Sequence, residues 1–313
     1  MKKKIIVLSL LVLIIAACFM PVTQQKTVSI KSPFLNIYRE LVLPSNWGKW
    51  RPDIRQDFAV DSAKINFKKD TASFNIQYKN KELNVGFNEN VFNIKDRWNN
   101  NSNYGYAIIP EKDLKKTSVT VVKKTIAINY LLSRLKSDPF VDTHIDDLKK
   151  FMETDSLLYG CNIFKNRVQN SYMLEIQKEV PSKDKFTEAA KMLAALKQYV
   201  NTHDVKKVQP LIAQFLPKGK DSTHINVGFY IDKEVKGEND VHFARMPKGG
   251  PLYSVRYSGA FNKRSKTYMA LRQYFIDHLY QQAILPFESY LDDKLPTSDT
   301  SKVNIQVNFS TYF

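Results

Sequence analysis

Pro251-Leu-Tyr-Ser-Val-Arg-Tyr-Ser258 alternates apolar or aromatic residues with polar ones, the period of a half-buried strand. Residues 262–282 follow with Tyr268, Leu271, Phe275 and Leu279 at helical spacing, and strand-like stretches 285–291 and 302–309 flank a turn holding Pro296 and Ser298. The same order stands earlier in the chain, displaced by roughly 79 residues. There a strand at 171–179 precedes a helix at 183–201 with Phe186, Ala190, Leu193, Leu196 and Val200 on one face, then strands 208–216 and 223–231 around Pro217–Asp221. Two βαββ units in tandem predict a duplicated domain over residues 156–313. Each half covers the other's apolar sheet face or flanks a shared groove, and a groove on the pseudo-twofold axis is the natural binding place.

Upstream the pattern changes. Residues 27–35 read as a strand ending near Pro33, Leu35–Leu43 as a short helix, and Trp47-Gly48-Lys49-Trp50-Arg51-Pro52 as a packing corner. Stretches 72–78, 82–87 and 117–131 read as strands, Asp138-Pro139 breaks the chain, and Ile145, Leu148 and Met152 space a helix over 142–153. A helix covering a curved antiparallel sheet is an α+β layout for residues 27–154.

At 313 residues the chain has room for two such domains. Two cysteines and five scattered histidines supply neither a disulfide framework nor a metal cage, so neither metal nor cofactor is expected. The net charge of +16 divides into +9 over residues 1–155 and +7 over 156–313. Spread so evenly, it does not form a nucleic-acid footprint. Met1-Lys2-Lys3-Lys4 and the uncharged run Ile5–Met20 describe an export signal or membrane anchor over residues 1–24. Ile15-Ala16-Ala17-Cys18 resembles a lipoprotein box, with Cys18 the lipidated residue; an uncleaved signal anchor is the alternative. Both outcomes expect a membrane-anchored protein on the extracytoplasmic, periplasmic face, because the leading lysines stay inside.

Residues 243–261, from Phe243-Ala-Arg-Met-Pro to Tyr257-Ser-Gly-Ala-Phe261, together with Pro286-Phe-Glu-Ser-Tyr-Leu-Asp292, resemble the GyrI-like family of bacterial effector-binding domains, of SHS2-type duplicated architecture. The resemblance implies small-molecule binding or, in some branches, hydrolysis of strained cyclic compounds. No helix-turn-helix precedes the domain, so a DNA-binding regulator is not expected. Residues 27–154, with Ser29-Ile-Lys-Ser-Pro33 leading to the tryptophan motif, resemble the SRPBCC helix-grip family of START and polyketide-cyclase-like domains. That resemblance implies an apolar cavity between helix and sheet.

Glu288 stands between Phe287 and Tyr290, where aromatic surroundings would raise its pKa for proton transfer, or where its charge could meet a cationic ligand. Tyr290, two residues on, shares its strand face. Tyr253 and Tyr257 alternate with Arg256, so either face of that strand could border the groove. Lys302 reverses the charge of a glutamate that the resemblance places there, turning the expected ligand from a cation to a neutral or anionic molecule. Cys161 and the histidines lack catalytic partners in sequence. The expectation is non-catalytic binding of a small apolar or anionic molecule through Glu288, Tyr290, Tyr253, Tyr257 and Lys302. The alternatives are a hydrolase using Glu288 and Tyr290, and an envelope accessory protein with no small ligand.

Overall fold

The computed structural model describes residues 13, 15–98, 102–135 and 140–312. It is an α+β protein of two compact units, residues 1–158 and 159–313, each built on one antiparallel sheet. Among the described residues no helix is long and apolar enough to cross a membrane.

The first unit runs β1 (Pro21–Ile30), α1 (Phe34–Val42), α2 (Pro52–Asp61), β2 (Asn66–Lys69), β3 (Ser73–Tyr78), β4 (Lys81–Asn88), β5 (Val91–Asp96), β6 (Ser102–Pro110), β7 (Thr117–Ile126), α3 (Ala127–Leu135) and α4 (Phe140–Met152). The sheet order is β1-β7-β6-β5-β4-β3-β2. Two expectations about its elements need correction. β1 opens at Pro21, inside the segment set apart as residues 1–24, because Pro21–Ile30 pairs along its whole length with β7. The stretch 117–131 is not one strand: the β-branched run ends at Ile126, and Ala127-Ile-Asn-Tyr-Leu-Leu, with apolar residues at helical spacing, continues as α3. The strands β2, β5 and β6 and the helix α2 complete the layout.

One face of this sheet carries Phe74, Ile76, Val85, Phe92, Ile94, Tyr106 and Val121, packed against Ile37, Leu41, Ile145 and Leu148 from the helices. Trp47 and Trp50 pack at 4.9 Å between ring centroids, and Trp47 Nε1 donates to Leu41 O at 3.0 Å, so the motif is a packing corner. A Cβ on Gly48 would run into the Phe58 ring, so any larger residue there must displace that side chain. Arg51 is fully buried; it donates to Asp96 at 2.7 Å and to the Tyr104 hydroxyl at 3.0 Å and pairs with Asp53. The apolar cavity expected between helix and sheet is occupied instead by Trp47, Phe92 and Tyr106, none more than 1% exposed.

The second unit runs β8 (Phe164–Arg167), β9 (Tyr172–Pro181), α5 (Lys185–Thr202), β10 (Lys207–Lys218), β11 (Ser222–Ile231), β12 (His242–Arg245), β13 (Pro251–Ala260), α6 (Ser265–Asp277), β14 (Phe287–Tyr290) and β15 (Lys302–Ser310). Its order, β12-β9-β11-β10-β14-β15-β13-β8, reads as two mirrored halves meeting where β10 pairs with β14. The short strand before each repeat crosses to the other one: β8 pairs with β13 and β12 with β9. The helices end alike. His203 stacks on Tyr199 and His278 on Tyr274, both at 3.9 Å, and each Nδ1 lies within hydrogen-bonding distance of that tyrosine's carbonyl. On α5 the buried set Ala189, Met192, Leu196 and Tyr199 lies one position round from the expected face: Ala190 is exposed, and Phe186, Leu193 and Val200 pack against the core partly buried. On α6 the expected Leu271 and Phe275 are buried, joined by Thr267 and Tyr274, and Tyr268 packs partly buried beside them. Leu279 lies beyond the end of α6 and is 86% exposed.

Candidate functional site

Glu288 lies on β14 opposite Ala213 of β10, at the junction of the two repeats, and is fully buried. Tyr290, two residues along the strand, donates to Oε2 at 2.6 Å. Two further donors come from the start of α6: Tyr268 donates to Oε1 at 2.7 Å and Arg264 Nε donates to the same oxygen. Arg264 also donates from Nη1 to Phe261 O at 2.9 Å, and its guanidinium lies 3.4 Å from the Phe261 ring centre. Burial, reinforced by the Glu288 charge, holds the Tyr268 and Tyr290 hydroxyls well above the usual phenol range, so both stay protonated donors. The rings of Phe186, Phe215 and Phe261, drawn from both repeats, meet at 5.3–5.8 Å. This arrangement is a closed polar core plugged by aromatics. The cation that meets Glu288 is the protein's own Arg264, and the carboxylate has no open side from which to take a substrate proton.

The remaining expected site residues separate. Tyr253 and Tyr257 lie on the helix-facing side of β13 and Arg256 on the other, above the Phe164 ring. Tyr253 packs among Tyr274, Phe275 and Tyr280 rather than beside Glu288, and the Tyr257 hydroxyl donates to Ala260 O at 2.7 Å. Lys302 is exposed on the sheet face away from Glu288, because Val303, Ile305 and Val307 alternate with it into the core. Neither Cys18 nor Cys161 is in a disulfide. Sequence reading did not single out Arg264 and took Tyr268 only as part of the helix's apolar face, although their i, i+4 spacing puts both on one side of the chain immediately after the Gly-Ala-Phe261 motif.

A larger concavity lies in the first unit. A trough of about 1090 Å³ runs over the sheet face that turns away from the helices. The pairing register builds it from two cross-strand rows. Lys68, Asn75, Asn84, Lys95 and Asn103 are successive partners across β2 to β6, while Ser73, Gly86, Asn93, Gly105 and Val122 are partners across β3 to β7. The second row is low because two members lack side chains, and a Cβ on Gly86 would meet nothing within 4 Å. The first row stands beside it, with amides that both donate and accept. Asn75 Nδ2 donates to Glu82 Oε1 at 2.7 Å, holding the amide upright. Lys68, Lys69, Lys95 and Lys124 border the trough, and among the described residues none of the four pairs with a carboxylate. Asp70, the acidic residue at the rim, accepts from its neighbouring Thr71 N–H at 2.7 Å. A volume of this size fits a small-molecule site, and charge of one sign in a concavity raises the local concentration of anions. Among the described residues no cluster of histidine, cysteine or carboxylate groups could hold a metal ion.

No family model matches the chain, and no curated protein matches it. Among solved structures it is similar to the EcmrR C-terminal domain, at 16% identity and a TM-score of 0.40, over 48% of this chain and 96% of that one. It is also similar to a hydrolase from Listeria innocua, at 12% identity and a TM-score of 0.35, over 47% and 90% of the two chains. A third likeness, to the di-domain ARO/CYC StfQ from the steffimycin biosynthetic pathway, spans 93% of this chain and 85% of that one at 9% identity and a TM-score of 0.30. The architecture described above stands on this chain's own strand pairings.

Proposed function

We propose that the chain is a membrane-tethered, non-catalytic binding protein that takes a small anionic molecule in the trough of its first unit. The observation that carries this reading is the trough itself: a row of asparagine side chains, of which Asn75 is already held by Glu82 and Asn84, flanked by four lysines that among the described residues pair with no carboxylate. Anionic groups such as carboxylates or phosphates satisfy both the ammonium groups and the amide donors. An apolar ligand would leave them desolvated and unmatched. The tether rests on the basic start and apolar run of residues 1–20. The resemblance of residues 156–313 to effector-binding domains supports the broader class of ligand binding, with Glu288 and Tyr290 acting there as a structural core. A hydrolase at Glu288 is disfavoured by the Arg264 pair and the two tyrosine donors that already engage both carboxylate oxygens.

The test is a thermal-shift and calorimetric panel of small carboxylates and phosphate esters against the full-length protein. A ligand supplied at 100 times its dissociation constant stabilises by about 2.7 kcal/mol, a readily measured shift. Lys95→Glu is expected to weaken binding by about tenfold or more, and rising salt to weaken binding in the parent. Binding confined to apolar or cationic compounds, or anion binding indifferent to Lys95→Glu, would refute the proposal.

A further inference from the structure

α3 carries Ile128, Leu131, Leu132 and Leu135 at i, i+3, i+4 and i+7, the apolar stripe of an amphipathic helix. In a globular unit such a stripe faces the core. Here it does not: among the described residues none of the four belongs to a hydrophobic core cluster, and Leu131, Leu132 and Leu135 are 54%, 44% and 81% exposed. The position of the helix explains why. β1 opens at Pro21 directly opposite Ile126, the last residue of β7, and the Ala127 N–H donates to Met20 O at 2.9 Å. The helix therefore starts at the point where the apolar run Ile5–Met20 enters the folded unit, next to the exposed Phe19 and Met20.

We infer that α3 is an interfacial helix that lies in the outer leaflet of the bilayer carrying the tether, with its leucine stripe among the acyl chains. The inference rests on the proposed tether and adds to it a second attachment. Two features favour a lipid surface over a protein partner. First, the apolar run Ile5–Met20, up to Pro21, is 16 residues long. As a helix it would reach about 24 Å, short of the roughly 30 Å hydrocarbon core, so Met20 and the start of α3 are drawn into the interface. Lipidation of Cys18 would place the same residues at the same depth. Second, residues 121–137 hold Lys123, Lys124, Arg134 and Lys136 and no acidic residue, matching anionic headgroups. A short helix with a leucine face and flanking basic residues is the composition that settles in the interfacial plane.

The test uses full-length protein in vesicles of phosphatidylethanolamine and phosphatidylglycerol, with Leu132→Trp and, independently, Leu135→Trp. Ile109→Trp is the control: Ile109 is exposed and pairs with Ser118, about 25 Å along β7 from Ile126 at roughly 3.3 Å per residue. Acyl-chain-brominated lipid is expected to cut the added emission of both α3 variants by about twofold or more and to leave the control unchanged. Alkaline carbonate extraction reads the tether separately. Protein that resists extraction while both α3 variants stay unquenched overturns the inference and leaves the tether standing. Protein released by carbonate, but quenched before release, upholds the helix and refutes the tether. An unquenched protein whose oligomer dissociates on Leu132→Asp would show that a second copy covers the stripe, which also overturns the inference.

Discussion

Replacing Arg264 with methionine removes the cation from a carboxylate that is fully buried while keeping most of the side chain's apolar stem. Breaking one side of a buried ion pair costs about 3–5 kcal/mol. Arg264 is 16% exposed, and Glu288 keeps the Tyr268 and Tyr290 donors, so the lower end applies, about 3 kcal/mol. Removing both charges with Arg264→Met and Glu288→Gln together leaves no unpaired ion and is expected to cost about 1 kcal/mol, less than Arg264→Met alone. Urea unfolding separates the units spectroscopically. Trp47, Trp50 and Trp98 all lie in the first unit, so tryptophan fluorescence reports that unit, while eleven of the sixteen tyrosines lie in the second, so the tyrosine near-ultraviolet signal that remains after the tryptophan transition is accounted for follows mainly that unit. With a slope of about 2 kcal/mol/M, Arg264→Met lowers the tyrosine midpoint by about 1.5 M and leaves the tryptophan midpoint in place. A loss below about 0.5 kcal/mol, or a double variant worse than both singles, would refute the description of Glu288 as a sealed structural core.

Burial first, and then the Arg51 charge, lowers the His144 imidazole from 6.5 to about 4. The unfolded chain binds this proton near pH 6.5 and the folded unit only near pH 4, so the first unit loses stability as pH falls between them and holds its full value above pH 6.5. The loss is on the order of 2 kcal/mol once partial solvent access is allowed for, and His144→Gln should remove that part of the pH dependence in tryptophan-monitored unfolding. Gly86→Val fills open space on a strand and should leave stability unchanged or raise it by up to about 1 kcal/mol while abolishing ligand binding in the trough. Gly105→Val should destabilise, because its Cβ would lie 3.1 Å from Phe92 O; equal midpoints for the two variants would contradict the described register. Tyr290→Phe removes one donor from Glu288 and should cost about 1–2 kcal/mol in the tyrosine transition.

The duplicated unit was legible because alternation in Tyr253-Ser-Val-Arg-Tyr257 and the spacing of Leu271 and Phe275 each report a local period that the fold keeps. The crossing of β8 and β12 to opposite repeats was not, since four-residue strands carry too little pattern to name a distant partner. Glu288 and Tyr290 stood out as a pair, and strand parity does bring them together. Their partners Arg264 and Tyr268 come from a helix start whose docking on the sheet is tertiary information, and that docking turns an apparent site into a core. Lys302 drew notice through its charge, yet parity sends it to the opposite face. The trough had a signal that was passed over. Asn75, Asn84, Asn93 and Asn103 recur at intervals of nine, nine and ten residues, but only hairpin register shows that Asn75, Asn84 and Asn103 share a row with Lys95 while Asn93 falls in the neighbouring row beside Gly86 and Gly105.

Native mass spectrometry of the full-length protein, released from detergent after purification from bacterial membranes, weighs the occupied trough directly. The account predicts an acidic small molecule of defined mass on the parent and on the Arg264→Met, Glu288→Gln double variant, and its loss from Gly86→Val and Lys95→Glu. An adduct that persists in Gly86→Val and vanishes in the Glu288 variant would place the ligand at the junction of the repeats and contradict the assignment made here.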